Sequence, residues 1–135
     1  MRKPDIQSRE DLALLVSIFY KKICQNEKIS PFFKLFIVDW STHKERFTDF
    51  WHSNLFSSKS YQGKILQSHI HADHHFKCGF NENHFKLWLE LWILSVNELF
   101  NGENAEKAKK RARCMASIMC KKVIAARELE SKIAS

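Results

Sequence analysis

The sequence predicts a single all-α domain, and three observations support this fold class. The chain has 135 residues, enough for one ordinary domain and too few for two. Only three glycines and two prolines occur, so turn residues for a many-stranded fold are scarce. Apolar residues recur at helical spacing along most of the chain. We expect one domain over residues 1–135, with a core from about 8 to about 125 and short flexible termini.

The first predicted helix begins at Ser8, which forms a capping-box-like pair with Asp11. The apolar residues that follow on one face are Leu12, Leu15, Val16, Phe19 and Ile23. A second, short helix is predicted at "SPFFKLF", where a Ser-Pro break starts the turn. It carries the aromatic residues Phe32, Phe33 and Phe36.

A third helix is predicted over "STHKERFTDFWHSNLF", with Ser41 as its N-cap. The residues along one side of it are His43, Phe47, Phe50, Trp51 and Leu55. A serine-rich loop is expected over residues 57–64.

The strongest helical pattern lies in "NENHFKLWLELWILSVNELF", which Asn101-Gly102 should end. Its repeating apolar residues are Phe85, Trp88, Leu89, Trp92, Val96 and Leu99. The last helix is expected from about residue 103 to about residue 132.

Composition excludes several classes of protein. Hydrophobic residues make up 44% of the chain and aromatic residues 13%, which excludes a disordered chain. The charged N-terminus lacks the apolar run of a signal peptide, and no apolar stretch is long enough to span a membrane. The cysteines, which lack CxxC spacing, are expected to be mostly small core fillers. These features favour a cytoplasmic protein with no membrane partner.

The net charge of +7 raises the alternative of a basic helical module that binds nucleic acid. The main basic cluster is "KAKKRARC", residues 107–114. The alanines around it recur at helical spacing, at 105, 108, 112 and 116. This pattern favours an amphipathic helix whose lysines and arginines face solvent, and therefore no nucleic-acid partner.

Four of the seven histidines stand within "QSHIHADHHF", residues 67–76. A zinc or other metal site in this segment is a further alternative, although the second distant ligand pair of a structural zinc site is missing. We expect His71, His74 and His75 to lie in a solvated loop. His69 differs, because in "GKILQSH" it shares a helical side with Ile65 and Leu66. Its imidazole can therefore point into an apolar interior.

An ordered set of motifs gives the chain a resemblance to a known family. The motifs are "IFYKKI", "SPFF", "WSTHKERFTDFW", "YQGKILQSH", "HFKLWLELW" and "ELFNGENAEKAKKRA". In this order they resemble the third group of the truncated haemoglobins, over about residues 8–119. The glycine pairs typical of the other two groups are absent, since the glycines stand singly at 63, 79 and 102.

The resemblance implies a globin-like 2-over-2 helical sandwich that holds haem b. It places His69 as the proximal iron ligand and Phe33 as the phenylalanine that stacks on the porphyrin. It places Tyr20, His43 and Trp88 at the three polar distal positions, with Trp88 also against the haem. Further haem-pocket residues expected on the His43 helix are Phe47, Phe50 and Trp51, with Arg46 spaced to reach a propionate.

Two departures from the family pattern affect the proximal side. The segment between His69 and Trp88 is longer than the family's, and His74 aligns without a gap, so His74 is the runner-up ligand. The run from Tyr61 to the histidine favours His69. Lys64-Ile65 also replaces the Asn-Pro that the family usually has after the glycine.

The implied function is binding of O2, NO or CO at an iron that can be five-coordinate. Haem iron held by one imidazole keeps a coordination position open for such ligands. NO-detoxifying (NO dioxygenase) or peroxidase-like chemistry is left open, with O2, NO or peroxide as ligand and an unidentified external reductant. His43 has three alternative roles: donor to the ligand, gate, or iron ligand. A monomer or weak oligomer is expected.

Overall fold

The described part of the computed structural model covers residues 3–56 and 81–134. Within it the regular elements are five helices, which confirms the all-α fold class. They are α1 (Arg9–Gln25), α2 (Ser30–Phe36), α3 (Trp40–Phe56), α4 (Glu82–Leu99) and α5 (Glu103–Ala134). The predictions for the serine-rich loop and for His69, His71, His74 and His75 lie outside the described residues.

Helix α1 begins as the sequence predicts. The Ser8 side chain accepts a hydrogen bond from the backbone N–H of Asp11 at 3.2 Å. The Asp11 carboxylate in turn accepts from the backbone N–H of Gln7 at 2.9 Å. These bonds satisfy N–H groups that the first turn leaves open. The predicted apolar face of α1 is buried, together with Tyr20.

Helix α3 begins two residues earlier than an N-cap at Ser41 predicts, and its cap is not Ser41. The carboxylate of Asp39 accepts from the backbone N–H of Thr42 at 3.1 Å and from its hydroxyl at 2.6 Å. The prediction of Ser41 as the N-cap is therefore wrong. A carboxylate one residue before the helix offers two acceptor oxygens, whereas Ser41 already lies in the first turn.

The helices form two layers. Helices α1 and α3 pack together, α4 packs on α5, and the two pairs meet where α1 crosses α4 and α3 reaches α5. The indole rings of Trp51 and Trp92 stack at the junction, with centroids 4.7 Å apart and planes at 15°. This arrangement is the predicted 2-over-2 sandwich, with an aromatic core between the layers.

The alanine stripe of α5 brings that helix close to α4. Ala105, Ala108, Ala112 and Ala116 are all buried. The Trp92 indole N–H reaches across to donate to the carbonyl of Ala108 at 3.3 Å. Small side chains permit this approach because they leave little bulk between the helix axes.

The N-terminal segment is hydrogen-bonded to the start of α5, just after the turn from α4. The Asp5 carboxylate accepts from the backbone N–H groups of Asn104 and Ala105, each at 2.9 Å. The carbonyl of Ile6 accepts from the Asn104 side chain at 2.7 Å. Gly102, which precedes α5, has no side chain to cap it, so Asp5 acts as the N-cap from almost 100 residues away. We call Pro4, Asp5, Ile6, Gly102 and Asn104 the N-terminal clamp.

The cysteines differ in environment. Cys120 is buried, Cys24 is half-buried and Cys114 is exposed; all three are free thiols. Cys114 is therefore an exception to the prediction that the cysteines are mostly small core fillers, because it lies on the solvent side of α5. Cys78 lies outside the described residues. Among the described helices, none combines the length and the apolar character that a membrane span requires.

Candidate functional site

A buried tyrosine stands at the centre of the candidate site. The Tyr20 ring, only 2% exposed, packs edge-on against His43 with centroids 5.3 Å apart. It also contacts Phe33 at 6.3 Å and Phe47 at 5.7 Å. Helices α1, α2 and α3 therefore each contribute an aromatic ring to one cluster.

Trp88 of α4 completes this cluster from the opposite layer. Its indole meets the Phe19 ring edge-on at 5.7 Å and lies 6.4 Å from the Phe47 ring. We call Tyr20, Phe33, His43, Phe47 and Trp88 the Tyr20 cluster. Four helices thus bring three polar side chains, Tyr20, His43 and Trp88, to one aromatic surface.

Three polar groups of the Tyr20 cluster have no hydrogen-bond partner among the described residues. In residues 3–56 and 81–134, no hydrogen bond engages the Tyr20 hydroxyl, the His43 imidazole or the Trp88 indole N–H. Small-molecule sites combine an apolar wall with a few convergent polar groups that can bond the ligand. These three groups on one aromatic surface are therefore a candidate for contact with a ligand.

The environment keeps these groups neutral near pH 7. Burial raises the pKa of the Tyr20 hydroxyl far above its usual range, so the hydroxyl keeps its proton. Burial also lowers the pKa of His43, and the positive charge of nearby Arg46 adds to this effect. The site therefore presents a hydroxyl, a neutral imidazole and an indole N–H within an aromatic wall.

The other predicted pocket residues occupy distinct places. Phe50 is half-buried and lies parallel to the Phe47 ring, with centroids 6.1 Å apart. Trp51 lies deeper, stacked on Trp92, and its buried indole N–H has no partner among the described residues. Arg46 is exposed at the outer side of α3. The proximal candidates His69 and His74 lie outside the described residues.

Sequence reasoning overlooked Trp40 as a neighbour of the site. Its indole packs edge-on against Tyr20, with centroids 5.8 Å apart and planes at 77°. The available signal was its spacing, since Trp40 stands three residues before His43 and seven before Phe47. That spacing places all three on the same side of α3.

The donor set of the Tyr20 cluster fits a flat, largely apolar cofactor that carries a small polar ligand. Phe33, Phe47 and Phe50 supply aromatic surface, and the three polar groups can donate to, or accept from, a small molecule beside it. Such pockets are mostly apolar, with a few convergent polar groups. The residues present are therefore compatible with haem.

Comparison with known proteins tests the predicted resemblance. No model of a protein family matches the chain. The chain is 29% identical over 114 residues to "Group 3 truncated hemoglobin ctb" of Campylobacter jejuni, covering 82% of this chain and 86% of that protein. It also matches the crystal structure of a group III truncated haemoglobin from Campylobacter jejuni, with a TM-score of 0.78 and 26% identity. That match covers 90% of this chain and 94% of the other. In sequence and in fold the chain is similar to the group III truncated haemoglobins.

This similarity confirms the predicted resemblance to the truncated haemoglobins and the globin fold. It also supports a globin-type haem protein. In the basic cluster, Lys107 and Lys109 pair with glutamates of their own helix, and Arg111 donates to Asn54 of α3. The expectation of no nucleic-acid partner stays a prediction. The histidine-loop metal alternative concerns residues outside the described part of the chain.

Proposed function

We propose that this protein binds haem b and uses the Tyr20 cluster to retain a diatomic ligand, O2, NO or CO. When bound, the haem iron supplies an open coordination position for such a ligand. The observation that supports the proposal is the convergence on one aromatic surface of three neutral polar groups that have no hydrogen-bond partner in residues 3–56 and 81–134. Each group can bond a small ligand without first breaking a bond to any of these residues.

The Tyr20 hydroxyl and the Trp88 indole N–H act as hydrogen-bond donors to the ligand. Burial keeps the pKa of Tyr20 high, so its proton stays available. Each donor contributes about 1–3 kcal/mol in such an environment, and two donors slow ligand escape by one or more orders of magnitude. A dry aromatic wall strengthens these bonds, because little water competes for them.

His43 is the adjustable member of the set. It is half-buried, whereas Tyr20 and Trp88 are buried, so it has a route towards solvent. Its pKa is lowered by burial and by Arg46, which keeps the imidazole neutral and able to donate or accept one hydrogen bond. We infer that His43 donates to the ligand and also gates its entry.

The remaining residues hold the cofactor. We propose that Phe33 stacks on the porphyrin and that Phe47 and Phe50 line the pocket. Trp51 supports the pocket from behind Phe47, with their ring centroids 6.2 Å apart. The exposed guanidinium of Arg46 pairs with a propionate, and the proximal iron ligand is His69, with His74 as the runner-up.

An absorption spectrum tests both the cofactor and the proximal assignment. We expect the purified protein to bind haem with an intense violet band that shifts when carbon monoxide is added to the ferrous form. His69→Ala should abolish this five-coordinate ferrous spectrum, and His74→Ala should leave it intact. The reverse pattern would transfer the ligand role to His74. A colourless protein after haem supplementation would overturn the proposal.

We further propose that tight ligand retention suits chemistry on the ligand, such as NO dioxygenation or a peroxidase-like reaction, more than transport. Slow release makes a poor carrier, and polar groups around the ligand can polarise an O–O bond. Such turnover requires an external reductant. The test is nitrate formation when NO is added to the oxygenated protein. Unchanged NO, with the protein still oxygenated, would contradict the dioxygenase role.

A further inference from the structure

A pocket on the far side of Tyr20 carries a second inference. It has a volume of about 450 Å³ and opens between α1 and α3. The residues that line it are Ser17, Tyr20, Lys21, Cys24, Trp40 and Lys44. Small-molecule sites have volumes of about 300–1,000 Å³, so the pocket can hold an organic ligand of modest size.

Two lysines line this pocket, one from each of the two helices. Neither the Lys21 nor the Lys44 ammonium has an ion-pair partner in residues 3–56 and 81–134. Lysines elsewhere that do have a carboxylate partner are Lys22, Lys86, Lys107 and Lys109. Lys21 lies on α1 and Lys44 on α3, so two unpaired positive charges face one cavity from opposite walls. An anion in the pocket would provide the carboxylate that these lysines lack.

Lys44 is the more constrained of the two cations. It is half-buried, whereas Lys21 is exposed. A partly desolvated ammonium gains more from an anionic partner than a fully hydrated one, because less water screens the interaction. The asymmetry predicts that Lys44 contributes more to anion binding than Lys21.

The Trp40 ring points to the shape of the ligand. Trp40 is half-buried, whereas Tyr20, which it meets edge-on with centroids 5.8 Å apart, is only 2% exposed. A planar ring can stack on the indole of Trp40, a geometry that aromatic pairs prefer. An inorganic anion such as phosphate would use the lysines and leave the Trp40 ring uncovered.

We propose that the pocket between α1 and α3 binds a small planar organic anion, of the class of aromatic or conjugated carboxylates. Lys21 and Lys44 would hold the carboxylate, and the Trp40 ring would stack on the planar part. The inference does not depend on haem, because both lysines and Trp40 lie outside the Tyr20 cluster. Tyr20 is the residue that the pocket and the cluster share.

Calorimetric titration with 2-naphthoate tests the proposal on the purified full chain at low ionic strength. We expect saturable binding that weakens about tenfold in the Lys21→Gln/Lys44→Gln double variant. Lys44→Gln alone should weaken it more than Lys21→Gln alone. The matched control is Lys110→Gln/Lys121→Gln, which removes the same charge from exposed positions of α5 and should change affinity by less than about twofold.

Two further measurements test whether binding requires the negative charge of the ligand and the ring of Trp40. The neutral analogue 2-naphthalenemethanol should bind more weakly than 2-naphthoate, and Trp40→Leu should weaken 2-naphthoate binding in a variant whose helical circular dichroism is unchanged. The proposal is overturned if the double lysine variant binds 2-naphthoate as tightly as the unmodified chain. It is equally overturned if the neutral analogue binds as tightly as the anion. Neither outcome changes the haem spectrum, so the two proposals fail separately.

Discussion

The N-terminal clamp and the Tyr20 cluster differ in how their polar groups are hydrogen-bonded. In the clamp, both oxygens of the Asp5 carboxylate accept from the backbone, and Asn104 bonds through its backbone and its side chain. In the cluster, Tyr20, His43 and Trp88 have no such partner among the described residues. The clamp uses its hydrogen bonds to stabilise the fold, whereas the Tyr20 cluster keeps donors and acceptors available for a ligand. Substitutions in the two regions should therefore change different properties.

Gly102→Ala should break the clamp with the largest effect. The residue has φ of 148°, which side chains rarely adopt, and an added Cβ would lie 2.6 Å from the Cβ of Asp5. The clash and the strained backbone together should lower the free energy of unfolding by about 2–4 kcal/mol. Urea denaturation measures this. Asn101→Ala, an exposed neighbour, is the control and should change it by less than about 0.5 kcal/mol. Equal effects would show that the turn tolerates a side chain at Gly102.

Asp5→Ala should be the next largest change. It removes the acceptor for the N–H groups of Ile6, Asn104 and Ala105. Loss of an N-cap together with charge-assisted bonds should cost about 1–3 kcal/mol of unfolding free energy. Thermal or urea denaturation measures it, with exposed Glu10→Gln as the control. A denaturation midpoint equal to that of the unmodified protein would mean that water fully replaces the carboxylate as the hydrogen-bond acceptor.

The clamp should also give the protein a specific acid sensitivity. Partial burial raises the pKa of Asp5, but the backbone N–H groups of Asn104, Ala105 and Ile6 lower it by more, so the net pKa lies below 3.8. A lowered pKa in the folded state means that the stabilisation is present above the unfolded value of 3.8 and is lost as pH falls through the folded value. Asp5→Asn should therefore flatten the stability curve below about pH 4. If the unfolding free energy of Asp5→Asn falls below about pH 4 as steeply as that of the unmodified protein, other carboxylates cause the loss of stability.

Tyr20→Phe tests the Tyr20 cluster, where we expect a change in ligand binding and not in stability. If the proposed function is correct, loss of the hydroxyl should raise the O2 dissociation rate about tenfold, as expected for one lost hydrogen bond. Stopped-flow displacement by carbon monoxide measures the rate. The unfolding free energy of the ligand-free protein should stay nearly the same, since the hydroxyl bonds none of the described residues. A large loss of stability with an unchanged rate would make the hydroxyl structural.

The stacked pair Trp51 and Trp92 should show the smallest difference in unfolding free energy. Trp92 donates to the Ala108 carbonyl, whereas the Trp51 indole N–H has no partner among the described residues. Both indoles are fully buried, so changing either to phenylalanine removes a similar volume. Trp92→Phe should therefore cost about 1 kcal/mol more than Trp51→Phe in unfolding free energy. Equal losses would show that Trp51 bonds a group beyond the described residues.

Local sequence signals predicted much of the fold because they act over a few residues. The Ser8–Asp11 pair starts α1 through bonds within one turn, and the alanine spacing of α5 sets its buried face. Ser41 was wrong as a cap because Asp39, two positions earlier, competes for the same N–H groups and has two acceptor oxygens. A short-range rule identifies a start of helix without deciding between adjacent capping residues.

The sequence predicted part of the candidate site and missed some of its neighbours. Tyr20, Phe33, His43 and Trp88 came from an ordered resemblance, and the structure brings them together with Phe47. Trp40 was overlooked because its contact with Tyr20 depends on how α1 crosses α3. The pocket with Lys21 and Lys44 was also invisible, since nothing in a linear pattern shows that two lysines on different helices face one cavity.

The sequence by itself determined the helices, their buried faces and the identity of the aromatic and polar side chains available, since these follow from spacing and composition along the chain. Only the tertiary structure decided that Asp5 caps a helix that begins near residue 103. It also decided that Tyr20, His43 and Trp88 share one surface, where none of them bonds another described residue. The physical reason is that both depend on side chains far apart in sequence, whose distances are set when the two helical layers pack.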